Sequence, residues 1–294
     1  MAHHLTRRRL VTGLGGVAGT MAFPGLFAAE TVASATPPTP APMVDLAAEL
    51  ARWDVPEANQ GVAVDRQHFY GIGNRVLVKH RKSDGKQVAK WEGMRDGAII
   101  HYNAGYVEGT RLVLAHSNFP QLPMASSLET YDTRSLQPIA SQSLGIRLGS
   151  LTWAVRHRGH WWACFANYND AGTTPGFDQR WTYMGQFDDR WQLLQSWLFP
   201  PQFVTTWGVS SCSCGDWGDD GLLYVTGHDA PELHALRLPR QGVTLEHVAV
   251  INVPFEGQGW AWDRSAGNRR VIYGISRARR QVIVTRIPMI ATSR

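Results

Sequence analysis

The sequence predicts an all-β chain folded as a five-bladed β-propeller and closed by an N-terminal outer strand. Three observations carry that reading. The pattern Val-Pro-x3-Gln-Gly-x-Ala-x-Asp occurs at Val55–Asp65 and again at Val253–Asp263, six identities at fixed spacing. Between these two points, short apolar runs recur about every 50 residues, each unit offering four strand-like runs, which is a propeller period. The 29 Gly and 16 Pro punctuate the chain so densely that no stretch holds helical periodicity beyond a couple of turns.

The elements follow in order. Thr6-Arg7-Arg8-Arg9-Leu10-Val11 is a consecutive-arginine run ahead of a moderately apolar stretch, and Ala33-Ser34-Ala35 offers a small-residue cleavage site. Residues 1–35 therefore read as an export signal of the twin-arginine type, which places the protein in the periplasm or outside the cell. The alternative, a membrane anchor, is opposed by Gly, Thr and Pro within the apolar run, so no stable span is expected after cleavage. Residues 36–50 read as a proline-rich linker, with a helical turn expected over Leu46–Leu50. The propeller is assigned to 51–290 and a tail to 291–294.

Second strands of the five units read from His68, Arg111, Trp161, Leu222 and Val271, and third strands from Val76, Leu128, Thr182, Leu233 and Val282. The last unit ends at Ile287-Pro288 with no room for a fourth strand. Arg52-Trp53-Asp54-Val55 is expected to supply it and so remove a free sheet edge. Of the 12 Trp, nine (Trp153, Trp161, Trp162, Trp181, Trp191, Trp197, Trp207, Trp260 and Trp262) fall on or beside strands, where packing between blades accounts for most of them.

Charge excludes little and supports little. The whole chain carries 29 basic and 24 acidic residues, a balance of +5. Loss of Arg7, Arg8, Arg9 and Glu30 with the signal leaves 26 and 23, or +3. The cluster at Arg277, Arg279 and Arg280 lacks interleaved aromatics, so no nucleic-acid partner is expected. Gly-x-Ser-x-Gly, P-loop and His-Glu-x-x-His motifs are absent from the sequence. Cys212-Ser213-Cys214 has the wrong spacing for a zinc half-site and reads as two thiols on a turn of the fourth blade.

Ligands of propellers sit over the central channel, at loops joining second to third strands and outer to next inner strands. Those loops hold His, Asn, Asp, Gln and Arg at equivalent positions, and ordinary turns call for only some of these. The candidate ligand-binding residues are Gln60, His116, Asn118, Asn167, Asn169, Asp229 and Gln258, with amides suited to a small polar or sugar-like molecule. The candidate acid/base set is Glu129, His228 and Arg277. Glu129, flanked by apolar and small residues, is expected to point inward with a raised pKa; Arg277 would stabilise developing negative charge. A divalent metal on His116, His228 and Asp229 is a further possibility. A third reading is a protein-interaction platform, which requires a broad apolar patch on the rim.

Three segments, His116–Asp132, Gly227–Glu232 and Glu256–Asp263 through Gly274–Arg277, resemble a group of exported bacterial propeller proteins labelled cycloisomerase-like. The resemblance covers nearly the whole chain after the signal and implies the propeller fold and export, without a stated chemistry. Ser/Gly-rich in many of those proteins, the fourth-blade turn here carries Cys212 and Cys214. More loosely, Gln60-Gly61 and Gln258-Gly259 are similar to the Gln-Gly of propeller-type glutaminyl cyclotransferases, a likeness of fold rather than function. The sequence thus leaves two main functions open: a binding propeller of the cell envelope, or an exported isomerase, lyase, cyclase or hydrolase using the same mouth.

Overall fold

Each repeat unit forms one antiparallel sheet, and five such sheets stand around an axis. The computed structural model describes residues 41–44 and 47–290; the segment expected to be an export signal and the expected C-terminal tail lie outside the described residues. The first blade runs Gly61–Val64, His68–Ile72, Val76–Arg81, Gln87–Glu92 from the axis outward, and the second His101–Glu108, Arg111–Ser117, Ala125–Asp132, Pro138–Ile146. The third runs Ser150–His157, His160–Ala166, Tyr183–Phe187, Leu193–Leu198, and the fourth Cys214–Trp217, Leu223–Thr226, Glu232–Arg237, Glu246–Asn252. Trp260–Trp262, Val271–Ser276 and Gln281–Arg286 begin the fifth. Consecutive inner strands touch around the ring, the fifth meeting the first.

The N-terminal segment completes the fifth blade. Ala48–Asp54 pairs antiparallel with Gln281–Arg286, from Ala48 opposite Arg286 to Asp54 opposite Gln281. The closure strand therefore starts earlier than Arg52, and the helical turn expected over Leu46–Leu50 is replaced from Ala48 onward by strand. Pairing with an otherwise open edge outweighs the weak helical preference of a few residues. Just before it, Met43–Val44 adds a short parallel strand to the outside of the fourth blade, opposite Val250 and Ile251.

The matched ends now have a physical cause. Gly259 donates its N–H to the Gln60 carbonyl at 3.0 Å, joining the fifth blade to the first at the axis. A Cβ on Gly259 would stand 2.4 Å from Gly61 Cα and 2.7 Å from Gln60 O, so this approach of two backbones admits only glycine. The repeated aspartates cap the first hairpin of each blade: Asp65 accepts from the Gln67 and His68 amides and from the Tyr70 hydroxyl, and Asp263 from Ser265.

Tryptophans fill the space between blades. Eight of the nine named above are buried, and Trp181 is exposed. Trp162 stacks on Trp197 at 5.6 Å and meets Trp217 edge-on at 4.8 Å across the third and fourth blades. Among the described residues, no helix is long and apolar enough to cross a membrane.

Candidate functional site

The axis is nearly solid. Below the Gly61–Gly259 contact an enclosed cavity of about 20 Å³ remains, beside Tyr106, Trp153, Cys214, Asp216 and Trp262, room for a single water. The connections that carry the expected site residues lie at the mouth, at the Gln60–Gly259 end of the inner strands.

Two loops are pressed together there. A Cβ on Gly257 would lie 2.4 Å from the Gly227 carbonyl, so the connection into the fifth blade runs directly against the loop that carries His228. His228 Nδ1–H donates to Asp229 Oδ1 at 2.6 Å, and Arg277 NH1 donates to His228 Nε2 at 3.0 Å. In this chain Nδ1 faces the carboxylate and a guanidinium is aimed at Nε2. Beneath it, the buried Ser276 hydroxyl donates to Glu256 Oε1 at 3.2 Å, while Glu256 Oε2 is buried without a hydrogen-bond partner. Gln258 is buried at φ 144°, a backbone conformation that costs energy for a residue with a side chain. The Thr226 hydroxyl donates to its carbonyl at 2.6 Å. Gln60 Nε2 donates to Asn74 Oδ1 at 2.6 Å on the first-blade side.

Positive charge gathers around this group. Burial pushes His101 down to about 4, and the charges of His116, Arg277 and Arg75 act in the same direction against its hydrogen bond to Asn103. Arg75 Nε donates to the Ile99 carbonyl at 3.1 Å. Among the described residues neither Arg75 nor Arg277 forms an ion pair. An aromatic strip borders the same face: Phe119 lies 5.1 Å from the His101 ring and 5.0 Å from that of Tyr168. The Tyr168 hydroxyl meets Ser150 on the third inner strand, and burial raises its pKa.

Other expected site residues are placed differently. Glu129 sits within the third strand of the second blade, where Ser127 and Ser141 hydroxyls donate to its Oε1 at 2.6 and 2.9 Å. His116 accepts the Ile100 amide on Nε2 at 3.0 Å and bonds Ser127 Oγ through Nδ1 at 2.8 Å; burial lowers it to about 4. His116, Ser127 and Glu129 are thus one internal chain, and among the described residues no hydrogen bond joins it to His228. Asn118 clasps its own loop, donating to Pro123 O at 2.9 Å and accepting from Ala125 N at 2.8 Å. Asn167, 2% exposed, donates to Trp181 O at 3.2 Å, and Asn169 accepts from Gln179 N at 3.2 Å. These amides brace loops. Of the expected set, the structure brings together His228, Asp229 and Arg277, with Gln60 and Gln258 on the same ring of connections.

Metal ligation finds no support in the side-chain arrangement: among the described residues no group of three His, Cys, Asp or Glu could hold an ion, and the Nε2 of His116 is already bonded. Cys164, Cys212 and Cys214 are buried free thiols. Cys214 begins the fourth inner strand and points its thiol at the Trp260 carbonyl, 3.2 Å away, and burial raises both it and Cys212.

Sequence reasoning missed Arg75, Asn103 and Asp216. Arg75 follows the Gly73-Asn74 turn by one residue, a basic residue at a mouth turn, which was the available signal. Asp216 gave none; it lies on an inner strand, where burial raises its pKa against the Arg264 guanidinium at 2.9 Å and the Trp217 amide at 2.7 Å.

Comparison with known proteins names no family. No protein-family model matches the chain, and no curated protein matches it. Among solved structures it is similar to a luciferin-regenerating enzyme, at 10% identity over 79% of this chain and 91% of that one, with a TM-score of 0.47. A chain in the mitotic checkpoint complex shows 8% identity over 87% and 97%, TM-score 0.43. A protein of unknown function from Bacteroides caccae shows 9% over 72% and 69%, TM-score 0.39. The architecture rests on the chain's own five sheets.

Proposed function

We propose that this chain is an exported propeller of the cell envelope that binds a small polar, sugar-like molecule bearing a negative charge over the channel mouth. The observation that carries the reading is the Asp229–His228–Arg277 chain with Arg75 in the same field and, among the described residues, no ion pair to either arginine. A carboxylate or phosphate on the ligand would take the guanidinium that now rests on His228. The Gln60 and Asn74 amides would meet hydroxyl or carbonyl groups of its body.

A second reading follows from the same geometry. Once Arg277 turns to an anionic substrate, His228 Nε2 is exposed as a base while Asp229 holds Nδ1–H, which is the arrangement an isomerase, lyase or cyclase uses to move a proton.

Calorimetric titration with galacturonate and with galactose separates the outcomes. Saturable binding of the acid, at least tenfold weaker binding of the neutral sugar and loss of the difference in Arg277→Ala support the proposal. Equal affinity for both, or unchanged binding in Arg277→Ala, overturns it.

A further inference from the structure

A second concavity opens on the third blade and its connection to the fourth. Its volume is about 360 Å³, within the range of about 300–1,000 Å³ that small-molecule pockets occupy. Leu198, Phe199, Pro201 and Val204 form an apolar wall, and Gln179 stands among them. None of its lining residues belongs to the Asp229–His228–Arg277 group.

Gln179 is the informative residue. It is only 8% exposed. Its backbone N–H is held by Asn169 Oδ1, and its Nε2–H donates to the Val204 carbonyl at 3.2 Å. With both ends tied, the amide orientation is set, and Oε1 is left buried with no donor among the described residues. A buried acceptor without a donor is costly, and such groups are rare in folded proteins. Gln179 lines the concavity, so a small turn of its side chain would bring this acceptor to a ligand N–H or O–H. At the lip, Arg180 donates through Nε to both Asp178 oxygens, at 3.0 and 2.9 Å, so the two charges answer each other and leave no net charge for an ion.

We propose that this pocket binds a neutral, flat, largely apolar molecule carrying one hydrogen-bond donor, with the donor on Gln179 Oε1 and the ring against Val204 and Phe199. This differs from the mouth, which gathers positive charge, so the two sites select different chemistry.

The probes are indole, which has one N–H, and benzofuran, the same two rings with oxygen in its place. Each is titrated calorimetrically into the full chain. One-site saturation by indole and about tenfold weaker binding of benzofuran are expected, because a site built around a hydrogen bond rejects the analogue that lacks it. Val204→Phe fills the cavity and abolishes indole binding with an unchanged near-UV circular dichroism spectrum. Should that variant fail to fold, Leu198→Trp obstructs the same pocket from a position that is 41% exposed. Absence of saturable indole binding, equal affinity for the two probes, or full indole binding in the folded pocket-filled variant overturns the proposal; in the first two cases a water molecule serves Gln179.

Discussion

Lowering the pH from 7 to 5 should destabilise this propeller steeply, and buried histidines are the cause. His101 and His116 are pushed down to about 4, and His234 to about 3, in each case chiefly by burial. His234 packs on Phe203 at 4.1 Å between ring centroids and shares a hydrogen bond with His247 at 3.1 Å. Its Nε2 lies 3.2 Å from Glu232 Oε2, an attraction that burial outweighs. Because the folded values lie below the ordinary 6.5, the unfolded chain binds protons first as pH falls. The stabilisation is therefore complete above 6.5 and is lost as pH drops from 6.5 toward 4. Linkage gives about 2 kcal/mol for each of the three groups between pH 7 and pH 5. Together that is about 5–6 kcal/mol, comparable to the whole stability of a marginal domain, about 5–15 kcal/mol. Asp216, raised by burial, acts in the opposite sense and offsets part of this. Asp65 is lowered and titrates below the window. Urea unfolding followed by tryptophan fluorescence at both pH values measures the difference. In His234→Phe the difference should shrink by about 2 kcal/mol. Equal stability at pH 7 and 5, or an undiminished difference in His234→Phe, refutes the reasoning.

Other perturbations address the fold, the mouth and the address segment. Gly259→Ala forces a methyl group onto backbone atoms of the first blade that have no rotamer to change; thermal unfolding should show a loss of about 1–3 kcal/mol. Removing residues 1–54 strips Ala48–Asp54 from Gln281–Arg286 and leaves an open edge, so gel filtration should show larger species than the full chain forms at the same concentration. Asp229→Asn weakens the hold on His228 Nδ1–H and should lower galacturonate affinity less than Arg277→Ala does, by calorimetry; the reverse order would place the ligand on the wrong side of the imidazole. Arg7→Lys combined with Arg8→Lys should retain the protein in the cytoplasm on cell fractionation, and normal export of that variant removes the twin-arginine reading.

The fold was legible because closure of a ring leaves a mark in the chain. Gln60-Gly61 and Gln258-Gly259 resemble each other because both face the same axis, and each glycine makes room for the other's backbone. A missing fourth strand after Ile287 was equally readable, since the fifth blade reaches four strands only with Ala48–Asp54. Leu46–Leu50 was misread for the complementary reason. A pair of leucines four residues apart is a local signal, and the partner that overrides it, Gln281–Arg286, lies at the other end of the sequence.

The site was legible only where a residue type had no structural reason to be in its loop. Asn is ambiguous by nature: its amide serves a turn as readily as a ligand. Asn118, Asn167 and Asn169 occupy mouth loops as expected, yet their side-chain hydrogen bonds close their own surroundings. Buried His is ambiguous in the same way, and His116, bonded on both ring nitrogens, is the example. Arginine is different. A turn needs no guanidinium, and among the described residues neither the exposed Arg277 nor Arg75 forms an ion pair: Arg277 rests on His228 and Arg75 on the Ile99 carbonyl. Under the proposed function these two guanidiniums would select the anionic group of a ligand rather than its hydroxyls, because a bidentate charged hydrogen bond is stronger than one to a neutral hydroxyl.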